Sequence, residues 1–155
     1  MEDSCLEEAV KWIRDLADGT MGHEVETITT RGIRVAKAHR GFLLCDFIIH
    51  NGLLDENENW HVGAIATLVD IIGSIASYSF STSYKHVTID FSISYYSTAK
   101  DQVEAEVEAK VIGKKDELTS VIVQVRKKEN GELIALGKLW MAVARRNARH
   151  QASKL

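Results

Sequence analysis

Residues 61–80 constrain the fold more than any other part of this sequence, because their apolar side chains would cover every face of a helix. A helix that is apolar all round must be buried on all sides. The apolar positions in this stretch are Gly63, Ala64, Ile65, Ala66, Leu68, Val69, Ile71, Ile72, Gly73, Ile75 and Ala76. The rest of the chain must therefore surround one long helix.

Six strand-like segments are available to surround it. Period-two alternation and β-branched or aromatic residues predict strands over residues 27–38, 41–49, 84–97, 102–111, 118–127 and 132–144. A further, amphipathic helix is predicted over residues 4–17, capped by Ser4 and ended by Gly19. This order predicts an α+β fold in which a curved antiparallel sheet of about six strands wraps around one long buried helix. The alternative is a sandwich with the helix on one face, partly covered by a partner subunit.

Length and charge narrow the class of protein. The 155 residues suit a single domain, predicted at residues 1–148, with an exposed tail over residues 149–155. The formal net charge of -3 argues against nucleic-acid binding, which needs a basic face. No secretory signal is visible, and no uninterrupted apolar run approaches the roughly 18–20 residues that span a bilayer. These features predict a soluble protein with no membrane span.

The two cysteines, Cys5 and Cys45, are too few for a disulfide framework and favour a reducing compartment. Cys45 lies in an apolar run and is expected to be buried as a small hydrophobe. No CxxC or His/Cys spacing typical of a zinc site occurs. We therefore expect neither a metal nor a cofactor.

The last three residues, Ser153-Lys154-Leu155, match a known targeting signal. A carboxy-terminal Ser-Lys-Leu is read by the peroxisomal import receptor. The preceding residues are polar and basic, so we expect the tripeptide to be accessible on the tail. The sequence thus predicts a protein of the peroxisomal matrix, with the import receptor as one partner.

Asp70 is the most unusual residue of the apolar helix. It lies nine residues after His61, in the middle of the segment. An unpaired ionised carboxylate there would cost several kcal/mol, so it must be paired, neutralised or directed at a cavity. A structural aspartate held by hydrogen bonds is one interpretation, but capping roles are not open to it in mid-helix. A functional carboxylate is the interpretation that we favour.

The residues around Asp70 resemble a known family. Trp60-His61-Val62-Gly63, followed by Asp70, is similar to the His-Gly-Gly…Asp signature of the small hotdog-fold acyl-CoA thioesterases, and residues 87–95 continue the match. The similarity extends from about residue 42 to residue 144, and the chain is identified as a peroxisomal, plant-like member. The resemblance implies a hotdog fold and hydrolysis of an acyl-CoA thioester to free acid and coenzyme A.

The resemblance also implies roles for individual residues. Asp70 would act as general base or nucleophile, while Thr88 steers the attacking water. The amide that follows His61 would polarise the thioester carbonyl together with Gly63 at the start of the helix. This amide belongs to Val62, where the family usually has glycine.

A second departure concerns the loop before His61. Asp55 stands where relatives often carry an asparagine that donates to the substrate carbonyl, and an ionised aspartate cannot donate. Asn57 or Asn59 could substitute, or the loop could simply be a solvated acidic segment. Lys114 and Lys115, at a predicted turn, are candidates for binding the phosphates of coenzyme A, although lysines at a turn are commonly only solvated. Coenzyme A is then part of the substrate.

The sequence therefore predicts an enzyme, an acyl-CoA thioesterase that forms a homodimer with shared active sites and assembles further into a homotetramer. Asp70 of one chain would meet the His61 end of the helix in the other. Two alternatives remain open. One is a non-catalytic acyl-CoA binding module, and the other is a hotdog enoyl-CoA hydratase or dehydratase.

Overall fold

The computed structural model describes residues 2–81 and 86–144. Its elements in chain order are α1 (Glu2–Ala17), α2 (Glu24–Thr30), β1 (Arg34–His39), β2 (Phe42–Ile48), a single 3-10 turn (Asn51–Leu53), α3 (Val62–Phe80), β3 (His86–Tyr95), β4 (Glu104–Lys115), β5 (Leu118–Lys127) and β6 (Leu133–Val143). The predicted tail over residues 149–155 lies outside the described residues.

The six strands form one antiparallel sheet in the order β1-β2-β4-β5-β6-β3. Strands β4, β5 and β6 form a meander, since each pairs with the next along the chain. Strand β3 precedes them in sequence but pairs with β6 at the edge of the sheet. The predicted antiparallel sheet of six strands is therefore confirmed, and β3 is left with one unpaired edge.

Helix α3 packs across the inner face of this sheet and contacts five of its strands. Helices α1 and α2 cover the side of α3 that faces away from the sheet. The sheet alone thus does not surround the helix, and the N-terminal helices add to its burial without completing it. Val62 and Gly63 are exposed and Ile71 is half-buried, so the expected burial on all sides is not met. Gly137 on β6 permits the close approach, because a Cβ at that position would collide with the Val69 side chain. By length and composition α3, with mean hydropathy 1.5, could also cross a membrane, but half of it is buried inside the protein.

The N-terminal segment contains one element that the sequence prediction missed. The period-two pattern over residues 27–38 predicts a strand, but residues 24–30 form α2 and β1 begins only at residue 34. Glu26 accepts a hydrogen bond from the His23 amide at 3.0 Å, which fixes the start of the helix. The Thr29 and Thr30 hydroxyls donate to carbonyls of the same helix, and both side chains are buried. These bonds outweigh the strand preference of β-branched residues.

Helix α1 differs from the prediction at one end only. It begins at Glu2, so Ser4 lies in its first turn rather than at its cap. Gly19 follows its last turn with φ at +73°, as predicted for a glycine that ends a helix. Cys45 is buried as expected, and burial raises the pKa of its thiol to about 12.

Candidate active site

Asp70 and Thr88 meet between α3 and β3. Thr88 Oγ1 donates a hydrogen bond to Asp70 Oδ1 at 2.7 Å. Both side chains are partly buried, so the carboxylate is neither fully solvated nor sealed in the core. The Thr88 hydroxyl fixes the orientation of the carboxylate and leaves its second oxygen, Oδ2, able to accept a proton.

The Asp70 carboxylate borders a cavity of about 480 Å³. The cavity lies between the N-terminal segment and the α3–β3 wall, and it is lined by Trp12, Leu16, Met21, Gly22, His23, Glu26, Asp70, Ile71, Ser74 and His86. Its volume is in the range of small-molecule sites. The side of the cavity that α1 builds is therefore apolar, whereas the side that α3 and β3 build carries the polar groups of Asp70, Ser74 and His86.

A polar stripe runs along the otherwise apolar α3. Ser74 and Ser77 follow Asp70 at spacings of four and seven residues, which places all three on one face of the helix. The buried Ser77 hydroxyl is hydrogen-bonded to Nδ1 of His86, which lines the same cavity. Burial, with a contribution from the positive charge of Lys114, lowers the pKa of His86 below its ordinary value. These surroundings favour the neutral imidazole of His86 over its protonated form.

The start of α3 forms a second group of predicted site residues. His61 is the N-cap residue, and its Nδ1 accepts a hydrogen bond from the Gly63 amide at 2.9 Å. The carbonyl of Val62 accepts from the Tyr95 hydroxyl at 2.8 Å. Within the described part of the chain, the Val62 amide has no acceptor at hydrogen-bonding distance. This amide is free to bind an external oxygen.

Within one chain these two groups are far apart. Val62 and Asp70 are eight residues apart in one straight helix, which separates them by about 12 Å along the helix axis. An oxyanion donor must lie about 3 Å from the carbonyl oxygen, while the base must reach a water beside the carbonyl carbon. The two groups therefore cannot act on the same thioester from a single chain.

The loop before His61 is closed by Asp55. Its Oδ1 accepts hydrogen bonds from the amides of Asn57 and Asn59, at 2.8 Å and 3.0 Å. The Asp55 amide in turn donates to the Asn59 carbonyl at 2.8 Å. A further hydrogen bond joins the two ends of the loop, because the His61 amide donates to the Leu53 carbonyl at 2.8 Å. One oxygen of Asp55 thus holds the loop, and Asn59 lies beside it.

Lys114 and Lys115 lie apart from both groups, at the end of β4 beside the turn to β5. Both are exposed. The positive charge of Lys114 contributes to the lowered pKa of His86, but Lys114 does not line the Asp70 cavity. In residues 2–81 and 86–144, no group of three His, Cys, Asp or Glu side chains is placed to hold a metal ion.

The contacts of three residues of the site were not predicted from the sequence. Tyr95 and His86 reach α3 only because β3 returns to the edge of the sheet, and no local pattern reveals that pairing. Trp12 reaches the cavity from α1. The polar stripe was detectable, because Ser74 and Ser77 repeat the helical spacing of Asp70 in an apolar segment.

Comparison with known proteins defines the class. The model of the thioesterase superfamily matches residues 57–134, half of the chain, and includes both α3 and β3. The chain belongs to the thioesterase superfamily.

Individual relatives agree with this assignment. The chain is 29% identical to mouse acyl-coenzyme A thioesterase 13 over 96 residues, which are 62% of this chain and 69% of the relative. The crystal structure of zebra fish thioesterase superfamily member 2 superposes with a TM-score of 0.80 at 24% identity, covering 90% of this chain and 98% of the other. A hypothetical thioesterase from Streptococcus pneumoniae, solved with coenzyme A, gives a TM-score of 0.72 at 18% identity, covering 90% and 99%. The two structures confirm the predicted hotdog fold.

Proposed function

We propose that this protein is an enzyme that hydrolyses acyl-CoA thioesters, with Asp70 as the catalytic carboxylate. The observation that carries the proposal is the Asp70 carboxylate, held by Thr88 at 2.7 Å on the wall of a cavity. Membership of the thioesterase superfamily supports the reaction type. The similarity to an acyl-coenzyme A thioesterase, and to a structure solved with coenzyme A, supports coenzyme A as the thiol part of the substrate.

Two routes are open to Asp70. As general base it takes a proton from water while the water oxygen adds to the thioester carbonyl carbon. The C–S bond then breaks, and coenzyme A leaves with the bonding electrons and takes up the proton. As nucleophile, a carboxylate oxygen adds instead, expels coenzyme A and forms an anhydride that water hydrolyses. In either route Thr88 holds the carboxylate, and the lone pairs of Oγ1 can accept a hydrogen bond from the attacking water.

The second half of the site comes from a partner chain in this proposal. The Val62 amide would polarise the carbonyl of a thioester that Asp70 of the other chain attacks, because the two groups of one chain are about 12 Å apart. Strand β3 favours such a homodimer, since it is an edge strand with exposed Val87 and Ile89. Further assembly into a homotetramer is predicted, and light scattering of the purified protein would measure it.

The remaining predicted residues would bind different parts of the substrate. The acyl group would enter the cavity beside Asp70, against Trp12 and Leu16. Lys114 and Lys115 would bind the phosphates of coenzyme A, while Asp55 and Asn59 would line the approach to the partner's carbonyl site. No cofactor takes part in the proposed reaction, since a carboxylate and amide dipoles suffice for hydrolysis.

The test is release of free thiol from a panel of short, long and aryl acyl-CoAs. We expect turnover by the unaltered protein and a fall in kcat of about a thousandfold in Asp70→Asn. Asp90→Asn is the matched control, because Asp90 is an exposed carboxylate on the same strand as Thr88. A loss of turnover in both variants would show that charge or folding, not the position of Asp70, is responsible.

A non-catalytic acyl-CoA binding module is the second candidate. Asp55 favours it, because its Oδ1 holds the loop and an ionised carboxylate offers no donor to a carbonyl. In that case every acyl-CoA of the panel would bind, as measured by calorimetry, but none would be hydrolysed. Asp70→Asn would then leave binding unchanged.

We also propose a peroxisomal location, on the basis of Ser153-Lys154-Leu155. These residues lie outside the described part of the chain. A fluorescent protein fused to the amino terminus should appear in peroxisomes and become cytosolic when Leu155 is deleted. An unchanged distribution after the deletion would refute the proposal.

A further inference from the structure

We propose that Tyr95 is a positioning residue for the reaction, which holds the start of α3 so that the Val62 amide points at the thioester carbonyl. The inference rests on the proposed hydrolysis of acyl-CoA and assigns a residue to it. Tyr95 does not touch the reacting atoms in this account. It acts through the backbone of the helix.

The argument starts from a single peptide unit. The Val62–Gly63 peptide is held at both ends, since its N–H donates to His61 Nδ1 at 2.9 Å and its C=O accepts from Tyr95 Oη at 2.8 Å. Two opposed hydrogen bonds from two side chains fix the rotation of this peptide about the helix axis. The adjacent His61–Val62 peptide, which carries the free Val62 amide, is thereby fixed as well.

The first turn of a helix needs such support. Helix ends fray, because the first amides lack acceptors within the helix. His61 satisfies one of these amides, and it belongs to the same end of the helix as the group it holds. Tyr95 instead lies on β3, which is paired with β6 through Tyr95 and Ala135. The hydrogen bond from Tyr95 thus ties the end of the helix to the sheet, as a precise site requires.

The hydroxyl of Tyr95 is suited to this task. Burial raises the pKa of Tyr95 above its ordinary value, so the phenol keeps its proton at neutral and mildly alkaline pH. It therefore remains a hydrogen-bond donor over that pH range. The side chain is 42% exposed and lies beside Val62, which is 52% exposed, so this end of the helix is accessible to a partner chain.

The neighbouring residue offers a matched control. Tyr96 is 59% exposed, and its hydroxyl makes no hydrogen bond to any part of the chain that the structure describes. Tyr95→Phe and Tyr96→Phe each remove one hydroxyl and keep the ring. Only Tyr95→Phe removes a hydrogen bond to the Val62–Gly63 peptide.

The experiment compares the steady-state kinetics of the two variants on the best acyl-CoA of the panel. For Tyr95→Phe we expect kcat to fall about tenfold with KM within about twofold of the unaltered value, because misplacement of a donor costs transition-state stabilisation more than binding. Tyr96→Phe should retain kcat. Equal kcat in both variants would overturn the inference while leaving the proposed hydrolysis intact. Absence of turnover by the unaltered protein would overturn both.

A spectroscopic measurement separates positioning from a general loss of structure. The infrared C=O band of a ¹³C-labelled thioester, bound to Asp70→Asn protein, reports directly on polarisation by the amide. Adding Tyr95→Phe should move this band towards its position in free substrate, with an unchanged circular dichroism spectrum. A band that stays in place would contradict the inference, even if kcat had fallen.

Discussion

The start and the middle of α3 carry two different kinds of chemical group. In the proposed reaction the acting group at the start is a backbone amide, and the side chains of His61 and Tyr95 hold the peptide next to it. In the middle, the proposed acting group is the Asp70 side chain, which is held by the hydroxyl of Thr88 and lines a cavity. The first group is exposed at the end of the helix, and the second is partly buried between α3, β3 and α1.

This difference decides how the start and the middle of α3 tolerate substitution. A backbone donor survives almost any side chain except proline, so the valine at position 62 keeps the amide. A side-chain carboxylate has no such freedom, because both its charge and its partner are needed. The comparison therefore predicts that the start of α3 is sensitive to loss of an N–H, whereas its middle is sensitive to loss of particular side-chain atoms.

Val62→Pro should have the largest effect at the start of the helix. Proline has no N–H, yet it is well tolerated at the first helical position, and His61 already has the extended backbone (ψ 128°) that precedes a proline. We expect kcat to fall about a hundredfold, as for loss of one oxyanion donor. Val62→Ala keeps the amide and should lose no more than about threefold in the same thiol-release assay. Similar losses in both would show that the side chain, not the amide, matters.

Thr88→Val tests the middle of the helix with a smaller expected effect. Valine has nearly the same shape but cannot donate to Asp70 Oδ1, so the carboxylate loses its 2.7 Å hydrogen bond. A hydrogen bond to a charged group is worth roughly 1.5–3 kcal/mol, so kcat should fall at least about tenfold. Thr88→Ser restores a donor and should recover most of the activity. A Thr88→Val enzyme with full kcat would remove Thr88 from the site.

His86 gives the smallest prediction, on stability rather than rate. Its pKa is lowered in the folded protein, mainly by burial, so the unfolded chain binds a proton more readily. The lowered pKa of His86 therefore favours the folded state above the unfolded pKa of about 6.5, and this stability is lost as pH falls below that value. In His86→Gln the drop in thermal midpoint between about pH 7.5 and pH 5 should be smaller than in the unaltered protein. An identical drop would show that His86 does not contribute.

The fold and the unusual position of Asp70 could be predicted from the sequence because both depend on local patterns. Residues 61–80 are mostly apolar, so an aspartate among them is conspicuous. The strand segments alternate strongly enough to reveal all six strands, although their pairing order depends on the return of β3 to the edge of the sheet.

The remaining parts of the site depend on contacts between distant residues. The Val62–Tyr95 bond joins residues 33 positions apart, and no single-sequence pattern announces it. Helix α2 was mistaken for a strand, because its threonines favour strands until their hydroxyls find helix carbonyls and their side chains are buried. The part of the cavity wall that α1 and α2 supply was also missed, because it depends on contacts between residues that are distant in the sequence.

Mixing two inactive variants tests the shared site most directly. Asp70→Asn and Val62→Pro each damage every site of a homodimer, but a mixed dimer has one site with neither defect. Co-refolding equal amounts should therefore restore about a quarter of the unaltered activity, because half of the dimers are mixed and one of their two sites is intact. Activity that stays at the level of the separate variants would contradict the account, since it would place Asp70 and the Val62 amide in independent sites.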